Sequence, residues 1–185
     1  MEIAIVDFKD FLNGTNRLNV SVKLIDTIKK HGFVYLRNYG ISKDLIEKLF
    51  QYNKEFFDKP LEYKQTLKRS FPKTLCGYDA LFEEKSNSDK LGDLKEAFIM
   101  KRNDAIWPTD WNDFKEFMLM FHQKCYLLSL EILRSFATGL KLDPVEFESK
   151  FKNADCAFLR IIHYPPMSEN IPINQMRAGE HTDYG

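Results

Sequence analysis

The sequence predicts an α+β fold, with long amphipathic helices and a few short strands in a chain of 185 residues. Apolar residues recur at spacings of three and four over three segments that are long enough to be helices. Between them lie short segments rich in β-branched and aromatic residues, bounded by glycine or proline, which are typical of strands. Hydrophobic residues make up 44% of the chain and charged residues 29%, as in a soluble globular protein, and 16 phenylalanines indicate an aromatic core.

The first elements are predicted by β-branched residues and by a helical apolar stripe. Residues 3–8 predict a strand, and residues 18–30 predict a helix with one apolar face. That face consists of Val20, Leu24, Ile25 and Ile28. Gly32 stands where a left-handed C-cap would end this helix, and residues 33–39 predict a second strand.

A second helix is predicted from its cap. Ser42 is typical of an N-cap, Asp44 suits the first helical turn, and Pro60 lies just beyond the end of the apolar periodicity. Residues 61–93 hold many charges and two glycines, so we predict a long surface excursion there, with a role as a lid as one interpretation. Residues 96–100 predict a short strand.

The longest helix is predicted over residues 110–138, where a narrow polar stripe indicates burial on most sides, and Gly139 ends it. Asp143-Pro144 predicts the start of a shorter helix. Residues 156–164 form the strongest strand pattern in the chain, and Pro165-Pro166 ends it.

Composition argues against several classes of function. Lys+Arg and Asp+Glu balance at 27 each, so bulk charge attracts neither nucleic acid nor an anionic membrane. The N-terminus lacks the basic and apolar regions of a secretory signal, and the most apolar stretch, residues 117–140, contains charged residues that argue against a membrane span. We therefore expect a soluble cytoplasmic protein.

The cysteines predict thiols and not a structural framework. Their number is odd and no pair has the Cys-x-x-Cys spacing, which argues against disulfides and against a zinc ribbon. They are Cys76, Cys125 and Cys156.

The chemistry is concentrated in the last residues of the chain. His181 and Asp183 are two positions apart, and in a strand their side chains would point to the same face. An imidazole and a carboxylate so placed are two members of a 2-His-1-carboxylate triad, which leaves three positions on iron(II) open. The motif is short, so a solvated His–Asp pair near a turn stays open as an alternative.

Several segments resemble one enzyme family. Residues 177–185 resemble the iron-ligand segment of the isopenicillin N synthase-like dioxygenases, the iron/2-oxoglutarate or iron/ascorbate oxidoreductases. Residues 159–166 are similar to that family's strand ending in Tyr-Pro-Pro, and residues 31–41 to its signature around the second strand. Further resemblances follow in the family's order at residues 5–8, 56–60, 77–78, 93–98 and 107–108.

The resemblance implies a helical module packed on a double-stranded β-helix, or jelly roll, here truncated. Residues 1–115 would be the N-terminal module, and residues 116–185 the bracing helices and the start of the jelly roll. It further implies that His181 and Asp183 bind Fe(II), that Tyr164 contacts the cosubstrate 2-oxoglutarate, and that a small molecule is oxidised with O2. For Tyr164, a strand-end tyrosine with a solvated hydroxyl stays open as an alternative. The resemblance also leaves ascorbate open as a further cofactor.

The chain departs from the family pattern at several points. Ile162 replaces the asparagine expected two positions before Tyr164. The family's third iron ligand and the Arg-x-Ser pair for 2-oxoglutarate fall after Gly185, so we expect these 185 residues alone to be inactive. Use of 2-oxoglutarate, the substrate and the reaction outcome are left open.

The remaining polar residues near the motif and the other histidines are predicted to be structural or solvated. His163 alternates with Tyr164 along the strand and should face the other side. The other predicted structural or solvated residues are His31, His122, Arg177 and Glu180.

Two other functions compete with the dioxygenase. A degenerate family member without an iron site would act as a binding protein without catalysis. A zinc hydrolase using His181 and Asp183 is the third hypothesis, which no other residue supports.

Overall fold

The computed structural model describes residues 3–70, 74–84, 92–151, 157–166, 175–180 and 182. Along the chain the elements are β1 (Ile5–Asp7), α1 (Lys9–Leu12), α2 (Arg17–His31), β2 (Tyr35–Arg37), α3 (Lys43–Phe57), α4 (Leu61–Gln65), β3 (Gly77–Asp79), β4 (Glu96–Met100), α5 (Asn112–Gly139) and β5 (Leu159–His163). The predicted mixture of helices and short strands is confirmed. The chain divides into two compact units, Met1–Ile46 with Met120–Cys156, and Glu47–Leu119 with Ala157–Gly185.

The first unit has a core between a two-stranded sheet and its helices. Strands β1 and β2 are parallel, with Val6 opposite Leu36. The rings of Phe8 and Phe11 stack with their centroids 4.9 Å apart. The buried members of this core are Val6, Phe8, Phe11, Val20 and Leu24. As predicted, Gly32 caps α2 in the left-handed conformation, with φ at 71°.

The second unit is built on an antiparallel sheet in the order β3-β4-β5. Because directly opposed residues share a face and neighbours alternate, the register defines two faces. The packed face carries Tyr78, Glu96, Phe98, Ile161 and His163. The other, which we name the Tyr164 face, carries Asp79, Ala97, Arg160 and Ile162 and is continued by Tyr164 beyond the end of β5.

Aromatic rings fill the core beneath the packed face. The ring of Phe56 lies 5.0 Å from Phe98 and stacks on Phe114 at 5.4 Å, and Tyr78 joins the cluster at 6.3 Å. These rings come from the end of α3, the start of α5 and two strands, so these two helix ends are buried here. Burial of this aromatic area is the main stabilising contribution to the unit.

The prediction of a surface excursion over residues 61–93 is wrong for much of that stretch. Helix α4 and strand β3 lie within it, and all three residues of β3 are buried. Charged residues such as Lys64 and Asp79 are buried as well, because they pair with opposite charges. A lid role has no support from the described part of this stretch.

The helix predicted after Asp143-Pro144 is also wrong in extent, since the structure has only a 3₁₀ turn, Glu148–Lys150. The Asp143 carboxylate accepts a hydrogen bond from the Val145 amide at 3.0 Å, which favours a turn. Val145 and Phe151 are exposed, so no apolar face is available to hold a longer helix in place.

None of the described helices, α5 included, combines the length and the apolarity required to cross a bilayer.

Candidate active site

Tyr164 follows directly after β5, at the end of the sheet where β4 begins. Glu96 is opposite His163 in the register, so the next pair along this end is Lys95 and Tyr164. Tyr164 is 41% exposed, and Ile162, which shares its face, is also exposed. The Tyr164 side chain is therefore partly exposed, and its contact with 2-oxoglutarate stays a prediction.

The two predicted iron ligands, His181 and Asp183, lie outside the described residues, and their assignment stays a prediction. Among the residues that are described, no group of three or more His, Cys, Asp or Glu side chains could hold a metal ion. An imidazole nitrogen and a carboxylate oxygen are nevertheless donors that suit iron(II) in an open triad. Their chemistry fits two positions of such a centre.

The approach segment, which we define as residues 175–180, leads directly to these ligands and is anchored at three points. The Gln175 side-chain amide donates to the Gly92 carbonyl at 2.6 Å. The Leu94 amide donates to the Met176 carbonyl at 2.9 Å. The Gly179 amide donates to Asp93 Oδ1 at 3.0 Å. The approach segment therefore lies beside the residues that lead into β4.

A network of charges connects this anchor to β5. Lys95 Nζ lies 2.9 Å from Asp93 Oδ2 and 3.4 Å from Glu84 Oε2, and Arg160 Nη1 donates to Glu84 Oε1 at 3.1 Å. Burial would lower the pKa of Lys95, but Asp93 and Glu84 outweigh it, and the pKa is raised. The hydrogen bond from Arg160 is the main reason that the pKa of Glu84 is lowered. Lys95 and Glu84 are therefore charged at neutral pH.

The same network includes a further ion pair, between Arg69 and Asp79 of β3. Burial raises the pKa of Asp79, and Arg69 offsets this only in part. Asp79 Oδ2 and Arg160 Nε are buried and make no hydrogen bond within the described part of the chain. The charged network consists of Asp79, Glu84 and Asp93 with Arg69, Lys95 and Arg160, so its acids and bases balance.

This network was not predicted from the sequence, because charged residues in a polar stretch are usually solvated. One signal was available. Residues 93–98, Asp-Leu-Lys-Glu-Ala-Phe, were recognised as a family landmark, and a landmark that places three charged residues just before an apolar strand indicates buried pairing.

On the packed face, Glu96 is the centre of a separate cluster. Its carboxylate accepts hydrogen bonds from Lys64 Nζ at 2.8 Å and from the Tyr78 hydroxyl at 2.6 Å, and it lies 2.8 Å from His163 Nδ1. The His163 ring also stacks on Phe57 at 5.4 Å. The prediction that His163 faces away from Tyr164 is thereby confirmed.

Other predicted residues are exposed, lie at a helix end or are free thiols. Arg177 and Glu180 are exposed, in agreement with a solvated loop, and His31 is the last residue of α2. Cys76 and Cys125 are free thiols, as expected, and burial raises the pKa of both. Cys156 lies outside the described residues.

One protein-family model matches more than half of the chain. The model described as "non-haem dioxygenase in morphine synthesis N-terminal" matches residues 3–118.

Curated relatives match over the whole chain. The 2-oxoglutarate-dependent dioxygenase htyE of Aspergillus rugulosus is 30% identical over 206 residues, and the match covers 100% of this chain and 62% of that protein. The proline hydroxylase buaE of Petromyces alliaceus is 31% identical over 200 residues, with the same two coverages of 100% and 62%. The chain thus spans less than two thirds of the length of these relatives.

Solved structures match the fold. A full-length protein of Neurospora crassa, crystallised in complex with alpha-KG, has a TM-score of 0.85 and 32% identity, covering 98% of this chain and 61% of that chain. Its complex with alpha-KG and thymine has a TM-score of 0.84 and 31% identity, covering 99% of this chain and 62% of that chain. These neighbours have the double-stranded β-helix fold, which confirms the predicted fold class. The division into residues 1–115 and 116–185 stays a prediction.

Proposed function

The chain belongs to the iron(II)- and 2-oxoglutarate-dependent dioxygenases, and we propose that the protein oxidises a small organic molecule with O2 at iron bound by His181 and Asp183. The relatives' names and the complexes of a solved relative with alpha-KG support 2-oxoglutarate as the cosubstrate. Ascorbate remains a proposal on the family resemblance alone.

One observation in the structure supports this proposal most strongly. The Gly179 amide is bonded to Asp93, three residues before Glu96, and Glu96 pairs in the sheet with His163, the residue before Tyr164. The chain thus returns, just before His181, to the end of the sheet where Tyr164 is exposed. A cosubstrate that bridges Tyr164 and a metal at residues 181–183 requires such proximity.

The residues of this chain have distinct roles in the proposed centre. Iron, when bound, supplies open positions for O2 and 2-oxoglutarate and activates O2 for oxidation of the substrate. The Tyr164 hydroxyl donates a hydrogen bond to a carboxylate of 2-oxoglutarate and orients it. Ile162 places an apolar side chain on the same face of β5, where the family has an asparagine.

The substrate class is proposed only in general terms. The Neurospora crassa protein was solved with thymine and with 5-formyluracil, and another relative is named as a proline hydroxylase. These are different small polar molecules, so we propose a small polar molecule and no particular compound. A cytoplasmic location also belongs to this proposal, since the free thiols of Cys76 and Cys125 suit a reducing compartment.

The proposal is tested by succinate release from the full-length protein with iron(II), 2-oxoglutarate and O2. We expect succinate above the metal-free control, and background values for His181→Ala and Asp183→Ala. Tyr164→Phe should raise the KM for 2-oxoglutarate about tenfold, because a hydrogen bond to a charged group is lost.

Tyr63→Phe is the matched control, since the Tyr63 hydroxyl bonds Asp110 on the surface and should leave this KM unchanged. A folded protein that binds no metal and releases no succinate would support the binding-protein alternative. Zinc in elemental analysis, with activity that needs no iron, would support the hydrolase.

A further inference from the structure

We propose that Asp93 is a positioning residue for the iron centre: its carboxylate, held by Lys95, fixes the backbone at Gly179 and thereby the place where the metal-ligand segment begins. The inference rests on the proposed function and extends it to a residue that does not itself touch the metal. It follows from contacts among the described residues.

The contact with Gly179 is buried and uses one oxygen of the Asp93 carboxylate. The Gly179 amide donates to Oδ1 at 3.0 Å, whereas Oδ2 faces Lys95 Nζ at 2.9 Å. The Asp93 side chain is only 4% exposed and that of Lys95 8%. Because each oxygen has its own partner, the carboxylate cannot rotate without breaking both contacts.

Lys95 is itself held from the other side. Its ammonium group also contacts Glu84, and Glu84 is bonded by Arg160 of β5. A continuous chain of charged contacts therefore runs from β5 of the sheet to Gly179. Buried ion pairs add little net stability compared with apolar residues of the same size. We therefore assign to this arrangement the role of fixing the position of the Asp93 carboxylate.

The backbone of Asp93 is fixed as well. Its amide donates to the Glu84 carbonyl at 2.7 Å, and its carbonyl accepts from the Phe82 amide at 3.1 Å. The Asp93 backbone is therefore held in place beside the approach segment. The hydrogen bond from the Leu94 amide to the Met176 carbonyl is a second contact between the same two stretches of chain.

The distance to the metal ligands is short along the chain. His181 follows Gly179 by two residues, which span at most about 7 Å of backbone. A shift of about 1 Å in a supporting contact is enough to reduce catalysis about a hundredfold, so the position of Gly179 matters for the metal centre.

The test combines amide hydrogen exchange with metal binding in the full-length protein. In the metal-free protein, Asp93→Ala should raise exchange of the amides in residues 175–180 about five- to tenfold, because a buried hydrogen bond is lost. Amides of β4 should exchange as in the wild type. Cobalt(II), a redox-stable substitute for iron(II), should bind Asp93→Ala about 10- to 100-fold more weakly.

Two further variants make the result specific. Asp93→Asn keeps one acceptor oxygen and should fall between the wild type and Asp93→Ala in both measurements. Asp58→Asn removes a carboxylate from an exposed ion pair with Lys54 on the surface, and should change neither.

The inference is overturned if exchange in residues 175–180 is unchanged, or if it rises while cobalt affinity stays the same. Should Asp93→Ala unfold, the same comparison is made with Asp93→Asn, whose exchange must rise more in residues 175–180 than in β4. A wild-type protein that binds no cobalt would instead refute the proposed function, so the two failures are distinguishable.

Discussion

At the scale of single residues, Glu96 is the carboxylate on which the packed face of the sheet depends. Burial would raise its pKa, but the hydrogen bonds from Lys64, Tyr78 and His163 outweigh that effect, and its pKa lies below the ordinary 4.5. The unfolded chain therefore binds a proton at Glu96 more readily than the folded chain does. Its stabilising contribution is complete above about pH 5.5 and is lost as the pH falls through 4.5 and below.

We predict that Glu96→Gln lowers the free energy of unfolding by about 3 kcal/mol at neutral pH, because it leaves the Lys64 ammonium group buried without a counter-charge. Below about pH 5.5, the free energy of unfolding of this variant should also fall less steeply with decreasing pH than that of the wild type. Urea titrations at several pH values measure both effects.

Glu83→Gln is the control, since Glu83 pairs with Lys68 where both side chains are partly exposed, and its effect should stay below about 1 kcal/mol. Equal effects of the two substitutions would contradict this account of Glu96.

At the scale of elements, α2 and α5 pack closely because small residues face each other. The hydroxyls of Ser21 and Ser135 are 3.0 Å apart, and both residues are fully buried. One turn after Ser135, a Cβ on Gly139 would lie 2.8 Å from the Ser21 carbonyl oxygen and 2.8 Å from Ile25 Cγ1. The backbone atom cannot move without displacing α2.

We predict that Gly139→Ala lowers the free energy of unfolding by about 1–3 kcal/mol through overpacking. Without the contact, alanine at this last residue of α5 would change the free energy of unfolding by less than about 1 kcal/mol, the difference between glycine and alanine inside a helix. Thermal or urea unfolding of wild type and variant shows whether the free energy of unfolding falls or rises. Ser129→Ala, at an exposed position of the same helix, should be close to neutral, and a stabilising Gly139→Ala would show that the helices are not in close contact.

The elements also show which features the sequence could predict. Helices α2, α3 and α5 and strand β4 were predicted within a few residues, because each has a clear apolar period or a definite cap. Strand β3 was missed, since three residues are too few to show an alternating pattern, and its burial depends on Tyr78 meeting Glu96 and Asp79 meeting Arg69. Such pairs form between residues that are distant in sequence, so the local spacing of apolar residues cannot predict them.

At the scale of the whole molecule, the order of the motifs was enough to predict the family and the fold class. The candidate ligands His181 and Asp183 follow from the motif and the resemblance, whereas their supporting network does not. The contacts Glu84–Arg160 and Asp93–Gly179 join residues 76 and 86 positions apart. Only the folded chain brings them together.

The central claim is that residues 181 and 183 bind iron in a centre that also takes 2-oxoglutarate. It is tested most directly by titrating the full-length protein with iron(II) and 2-oxoglutarate without oxygen, while its visible spectrum is recorded. We predict a weak charge-transfer band that needs both ligands and is lost in His181→Ala. A wild-type spectrum without this band at saturating iron(II) and 2-oxoglutarate, or a band unchanged in His181→Ala, would contradict the account.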